Sequence, residues 1–113
     1  MSKIKIKVSF NNNEIDYINT YKAIYKDNEI VYKENENITM KYNSKNNILT
    51  RITPEFIADY YLNKGICLMN IKEYNKEIQI PIAINKLINN KNIIEIEYKI
   101  EEKTISYKIE IIE

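Results

Sequence analysis

The sequence predicts an all-β fold: a small antiparallel meander barrel of about eight to ten strands. Three observations predict it. Apolar residues recur with a period of two along most of the chain, the period of a strand with one buried face. Short asparagine-rich segments interrupt that alternation about every ten residues, as turns do in a meander. The 113 residues suit one domain of roughly 100–150 residues, so 1–113 is read as a single barrel.

Each strand can be justified in order. Ile4, Ile6, Val8 and Phe10 alternate with Lys3, Lys5, Lys7 and Ser9. The lysines line one face, read as a solvated outer surface that also guards against edge-to-edge aggregation. Across a turn at Asp27 and Asn28, Tyr25 faces Ile30, Ala23 faces Tyr32, and Tyr21 faces Glu34. Glu34 thereby falls on an apolar, tyrosine-rich face. An even loop at 43–47 would set Tyr42 against Leu49 and Met40 against Arg51, turning Arg51 inward; an odd loop would turn Ile48, Thr50 and Ile52 inward instead.

The stretch 53–65 is ambiguous. Thr53 as N-cap, Pro54 as first helical residue and Gly65 as C′ residue are helix signals. Alternation of Phe56, Ala58, Tyr60 and Leu62 is a strand signal, with Pro54 at its start. Further on, Ile78, Ile80, Ile82 and Ile84 form one alternating strand. Ile94, Ile96, Tyr98 and Ile100 form the next, and Ile105, Tyr107, Ile109 and Ile111 the last. An even loop between these two is expected to place Tyr98 opposite Tyr107 and Glu97 opposite Lys108.

Composition bounds the chemistry. Ile, Lys, Asn and Tyr are abundant and Gly, Pro, His and Trp scarce or missing, the bias of an AT-rich genome. The formal net charge is +1, without the basic excess of a nucleic-acid binder. The first residues alternate charged and apolar, unlike a signal peptide, and no apolar run approaches the roughly 18 residues of a membrane span. A soluble, cytoplasmic domain is expected. With no histidine and one cysteine, no Ser–His or Cys–His pair and no disulfide can form, and no metal or cofactor is expected. The apolar neighbours of Cys67 predict an inert buried thiol. One glycine excludes a glycine-rich phosphate loop. An enzyme is not expected.

From Tyr32 onward the order of features resembles the YwiB-like family of uncharacterised bacterial proteins, small calycin (lipocalin-like) barrels. Tyr32-Lys33-Glu34 is similar to that family's Tyr-x-Glu at a hairpin end. The segment 38–42, the strand ending at Arg51, the spacing of Tyr61 and Gly65, and the closing hairpin from Ile93 also match. Where the family has glycine after the arginine, this chain has Thr53 and Pro54. The resemblance implies a strand at 56–62 rather than a helix. It implies no catalytic residues.

Two residues stand out as a candidate site. Arg51 is the only arginine among 17 basic residues, in a chain that otherwise uses lysine, and its planar fork suits bidentate recognition. Glu34 is a carboxylate on an inward face. A buried charge persists only when paired, so each is the other's candidate partner, although two exposed charges are the commoner fate of such residues. Tyr32 and Tyr21 flank them, so Arg51, Glu34, Tyr32 and Tyr21 form the candidate ligand site. The ten tyrosines either line a pocket or sit at the core boundary, ring inside and hydroxyl at the rim. These readings favour a binding module for a small, mostly apolar ligand, as monomer or homodimer. The alternative is an interaction or self-association module with a filled core.

Overall fold

The computed structural model describes residues 2–112. Ten strands run in chain order: β1 (Ser2–Asn11), β2 (Asp16–Lys26), β3 (Glu29–Asn35), β4 (Ile38–Asn43) and β5 (Ile48–Ile52), then β6 (Phe56–Tyr61), β7 (Ile66–Ile71), β8 (Lys76–Asn89), β9 (Ile93–Ile100) and β10 (Lys103–Ile111). Each pairs antiparallel with its chain neighbour, and β1 pairs with β10 to close a barrel. Among the described residues there is no helix, and so none long and apolar enough to cross a membrane.

The alternating apolar residues fill the interior. Ile6, Val8, Tyr42, Leu49, Ile96 and Ile109 are fully buried. Turn chemistry follows from the shortage of glycine. Among the described residues six other than glycine take positive φ, and four of them are asparagines: Asn13, Asn28, Asn47 and Asn75. Asn tolerates the left-handed region because its short polar side chain bonds locally. Asp27 and Asn28 both take positive φ in the two-residue β2–β3 turn, the backbone of a type I′ hairpin. Asn35 Oδ1 accepts from the backbone N–H groups of Asn37 and Ile38 at 2.8 and 3.1 Å, stabilising the next turn.

One end of the barrel is tied shut. The amide of Asn47 accepts from the Tyr42 hydroxyl at 2.6 Å and from Asn89 Nδ2 at 3.0 Å. Asn89 also donates to the Ser44 carbonyl at 2.7 Å. The Leu62 N–H donates to the Asn47 carbonyl at 3.1 Å, so the loops 44–47 and 62–65 and the end of β8 are joined. At the opposite end Lys72 joins the β5–β6 and β7–β8 loops, its N–H donating to the Glu55 carbonyl and its Nζ to the Thr53 carbonyl, both at 3.0 Å.

The β4–β5 loop is even: Met40 opposes Arg51 and Tyr42 opposes Leu49, so Arg51 points inward. The segment 56–61 is strand β6. The helix signals at Thr53 serve a turn instead: its Oγ1 accepts from the N–H groups of Glu55 and Phe56 at 3.2 and 3.1 Å. The final hairpin corrects the expected register. Its loop is even, the two residues Glu101 and Glu102, but Tyr98 opposes Ile105 and Tyr107 opposes Ile96. Glu97 faces Ser106, and Lys108 faces Glu95. A slip of two keeps every side chain on its face. Apolar parity therefore cannot distinguish these registers, and the positive φ of Glu101 marks the tighter turn.

Two bulges reshape the ladder. In β8 the register shifts between Ile84 and Lys86, so the inward residues change from Ile82 and Ile84 to Leu87. In β3 it shifts between Lys33 and Asn35, leaving Glu34 as the extra residue.

Gly65 occupies a position other residues cannot share comfortably. Its φ is +69°, and a Cβ there would lie 3.0 Å from the Ile82 carbonyl oxygen. That carbonyl's residue donates its own N–H to Gly65 O at 3.0 Å, so the two backbones are held together. Gly65→Ala is expected to lower stability by about 1–3 kcal/mol, read as an earlier urea midpoint. An unchanged midpoint would show that the β6–β7 turn relaxes freely.

Candidate functional site

The open end of the barrel holds the charged pair. Arg51 comes from β5 and Glu34 from the bulge in β3. Arg51 Nη1 lies 3.2 Å from Glu34 Oε1, with side-chain exposures of 27% and 12%. Both charges are largely withdrawn from water, so the alternative of two exposed charges is overturned. A bulge disrupts the ladder locally and re-aims a side chain. Here it leaves Glu34 without a ladder partner in β4, on the inward side that its parity with Tyr32 sets.

Other groups converge on the same oxygen. The Tyr17 hydroxyl approaches Glu34 Oε1 at 3.5 Å, a long contact. Arg51 Nη1 also reaches the Met40 thioether sulfur at 3.6 Å. Both Arg51 contacts use Nη1, which leaves Nη2 and Nε for another partner. Burial lowers the affinity of the guanidinium for its proton, but the carboxylate of Glu34 more than compensates, and Arg51 is held above its ordinary value. Burial, then the nearby carboxylate, pushes the Tyr17 phenol up to about 12.

Tyr21 behaves differently from expectation. β2 and β3 pair only from Ala23↔Tyr32 to Lys26↔Glu29. Beyond that point the strands separate, and Tyr21 has no ladder partner at Glu34. It contributes a ring instead, 5.0 Å from that of Tyr32 across the gap. Tyr32 is 3% exposed, and its hydroxyl has no hydrogen-bond partner. Burial raises the Tyr32 phenol, and Tyr107, Glu34, Tyr17 and Tyr21 add to the shift.

Tyr17 and Tyr107 belong to the site although sequence analysis did not place them there, and Met40 joins them where the even β4–β5 loop sets it opposite Arg51. Tyr17 shares the inward parity of Tyr21 along β2, a usable signal. Tyr107 joins through barrel closure: it opposes Phe10 of β1, and their rings lie 4.9 Å apart. No local pattern reveals that contact. Tyrosine rings fill the interior around the pair. Hollows of about 250 and 510 Å³ lie beside β1: the first is lined in part by Phe10 and Tyr107, and the second runs along Lys3, Lys5, Lys22 and Ile24. Cys67 is buried, and burial raises its thiol to about 11, where it is unreactive. Among the described residues no group of three or more acidic or cysteine side chains is disposed to hold a metal.

Comparison with protein-family models, curated proteins and solved structures finds no match.

Two predictions follow from this geometry. In denaturant unfolding, Glu34→Gln and Arg51→Met are each expected to cost about 1.5–3 kcal/mol, the range for hydrogen bonds to charged groups. The double mutant should lose clearly less than the sum; additive losses would mean two independent side chains. The second concerns alkali. Burial raises Tyr17, Tyr32, Tyr42, Tyr60, Tyr98 and Tyr107 above the ordinary 10.0. Unfolded chains lose these protons near that value and the folded barrel does not, so the unfolded state binds fewer protons above it. Stability from these groups is complete below pH about 10 and falls as pH rises toward about 12. Tyrosinate absorbance and loss of sheet circular dichroism should then rise together in one cooperative step. Full ionisation of all tyrosines with the sheet intact would contradict it.

Proposed function

We propose that this barrel is a non-enzymatic binding module for a small, mostly apolar ligand carrying a carboxylate or amide. The single observation that carries the reading is the buried Tyr32 hydroxyl, which has no hydrogen-bond partner and lies within the influence of Glu34, the carboxylate that Arg51 pairs. A buried hydroxyl without a partner is costly, about 1–3 kcal/mol, and a ligand acceptor would relieve it. The free fork nitrogens of Arg51 supply donors for the same group. Access runs through the gap between β2 and β3, which side chains close and backbone hydrogen bonds do not. The ligand's apolar body takes the place of the Tyr21 ring.

This reading includes a cytoplasmic location and a bacterial, AT-rich origin, supported by residue usage. It also includes membership of the YwiB-like, calycin-type barrels, supported by strand order and by Tyr32, Glu34 and Arg51 at the matching places. The second reading, an interaction module with a filled core, is favoured by the tyrosine rings that occupy the interior.

Native mass spectrometry of freshly purified protein tests the choice. A bound small molecule, lost or weakened at least tenfold in Arg51→Met, is the expected result. Octanoate and 4-hydroxybenzoate serve as added probes, read by melting temperature. A bare mass together with no response to either probe would refute ligand binding at this site and leave the filled-core reading.

A further inference from the structure

The barrel is closed, yet one stretch of backbone edge stays open. β2 pairs with β1 along its whole length, Asp16 to Tyr25, but with β3 only from Ala23 onward. Residues 16–22 therefore present an unpaired edge toward β3, seven residues or about 24 Å of strand at the usual rise. Only side chains bridge it, Tyr17 to Glu34 and Tyr21 to Tyr32, while Asp16, Ile18, Asn19, Thr20 and Lys22 are exposed. Ile18 is 61% exposed, and the flanking Ile15 and Ile24 are 53% and 41% exposed. Proteins ordinarily blunt such an edge with proline, a bulge or a run of lysines. Among residues 16–22 there is no proline and no bulge, and the one lysine is offset by one aspartate.

The residues on this edge are complementary to themselves. An antiparallel copy centred on Asn19 would set Asp16 opposite Lys22, Tyr17 opposite Tyr21, and Ile18 opposite Thr20. Opposite charges and aromatic pairs directly across a ladder are favourable. Slipping the register by two in either direction removes the Asp16–Lys22 pairing. The arrangement is isologous, so each contact occurs twice and the assembly stops at two. The lysine-rich β1 strands would lie three strand spacings apart, about 14 Å, beyond the screening length of physiological salt, about 8 Å.

We propose that a second copy of this chain docks on the free β2 edge. The two β2 strands pair antiparallel about Asn19, joining two barrels through one continuous sheet. The docking covers the β2–β3 gap and takes in Tyr17 and Tyr21, which the ligand reading also uses; its tests read assembly without any ligand, so its failure and the failure of that reading are told apart.

Sedimentation velocity at about 100 µM, a hundredfold above a Kd of about 1 µM, should find a dimer. Asp16→Lys opposes two lysines and should weaken it at least tenfold, while Asp16→Lys combined with Lys22→Asp should restore it. Both positions are exposed, and circular dichroism confirms that each variant keeps its sheet. Asn19→Cys places two thiols across the twofold axis, where paired Cα distances of about 4.5–5.5 Å allow a disulfide. It should crosslink under mild oxidation, whereas Gln79→Cys on the outer face of β8 should not. A monomer at that concentration with no Asn19→Cys crosslink overturns the proposal. So does a dimer indifferent to Asp16→Lys, which must use another surface. A monomer whose 16–22 amides become protected only with an added alternating Thr-Val peptide would assign the edge to a foreign strand, and also overturns it.

Discussion

A ring of ten strands encloses more space than isoleucine and valine fill, and that geometric constraint governs most of this molecule. Eight strands give an interior that side chains just occupy, and diameter grows with strand number. Here the additional volume is taken by aromatic rings. Tyr42 and Tyr98 are among the largest fully buried side chains, and Tyr32 and Tyr107 are nearly so. Rings pair within it, Tyr60 of β6 with Tyr98 of β9 at 5.3 Å and Phe10 with its cross-strand neighbour Tyr107 at 4.9 Å. Each ring removes a large apolar area from water, but each tyrosine also brings a hydroxyl into a place that does not solvate it.

The two barrel ends answer that difficulty in different ways. At the closed end the Tyr42 hydroxyl donates to Asn47, whose amide also receives Asn89, so satisfaction and loop closure are one network. At the open end the hydroxyls gather around a carboxylate. Tyr17 approaches Glu34, Arg51 pairs with the same oxygen, and Tyr32 is left without a partner. Networks of this kind stabilise only when every member is satisfied.

Much of this was legible because a strand's period of two is insensitive to detail. Parity alone put Ile6, Val8, Ile96 and Ile109 inside, and turn parity turned Arg51 inward opposite Met40. The same insensitivity hid the rest. Tyr98↔Ile105 and Tyr98↔Tyr107 differ by two residues and leave identical faces, so only the turn backbone decides between them. Bulges break parity without a local signature in a glycine-poor chain: Asn85 and Glu34 read as ordinary strand residues. The parting of β2 from β3 depends on where the β3–β4 hairpin ends relative to the longer β1–β2 hairpin, a relation between elements. It converted Tyr21 from the expected neighbour of Glu34 into a ring over Tyr32, and brought Tyr17 to the carboxylate.

The lone arginine makes sense in this setting. A lysine at 51 would supply the charge Glu34 needs, and the chain uses lysine nearly everywhere else. An ammonium, however, is a compact and strongly hydrated point charge, poorly suited to a site with little water. The guanidinium is flat and weakly hydrated, and one nitrogen can touch both the Glu34 carboxylate and the Met40 sulfur, as Nη1 does here. Its remaining donors keep fixed directions because the plane is rigid. Desolvation of such a pair offsets much of its Coulomb attraction, so a buried ion pair is weak as a source of stability. What Arg51 adds is direction: it holds a charged fork, with unused donors, at the end of the barrel where β2 parts from β3.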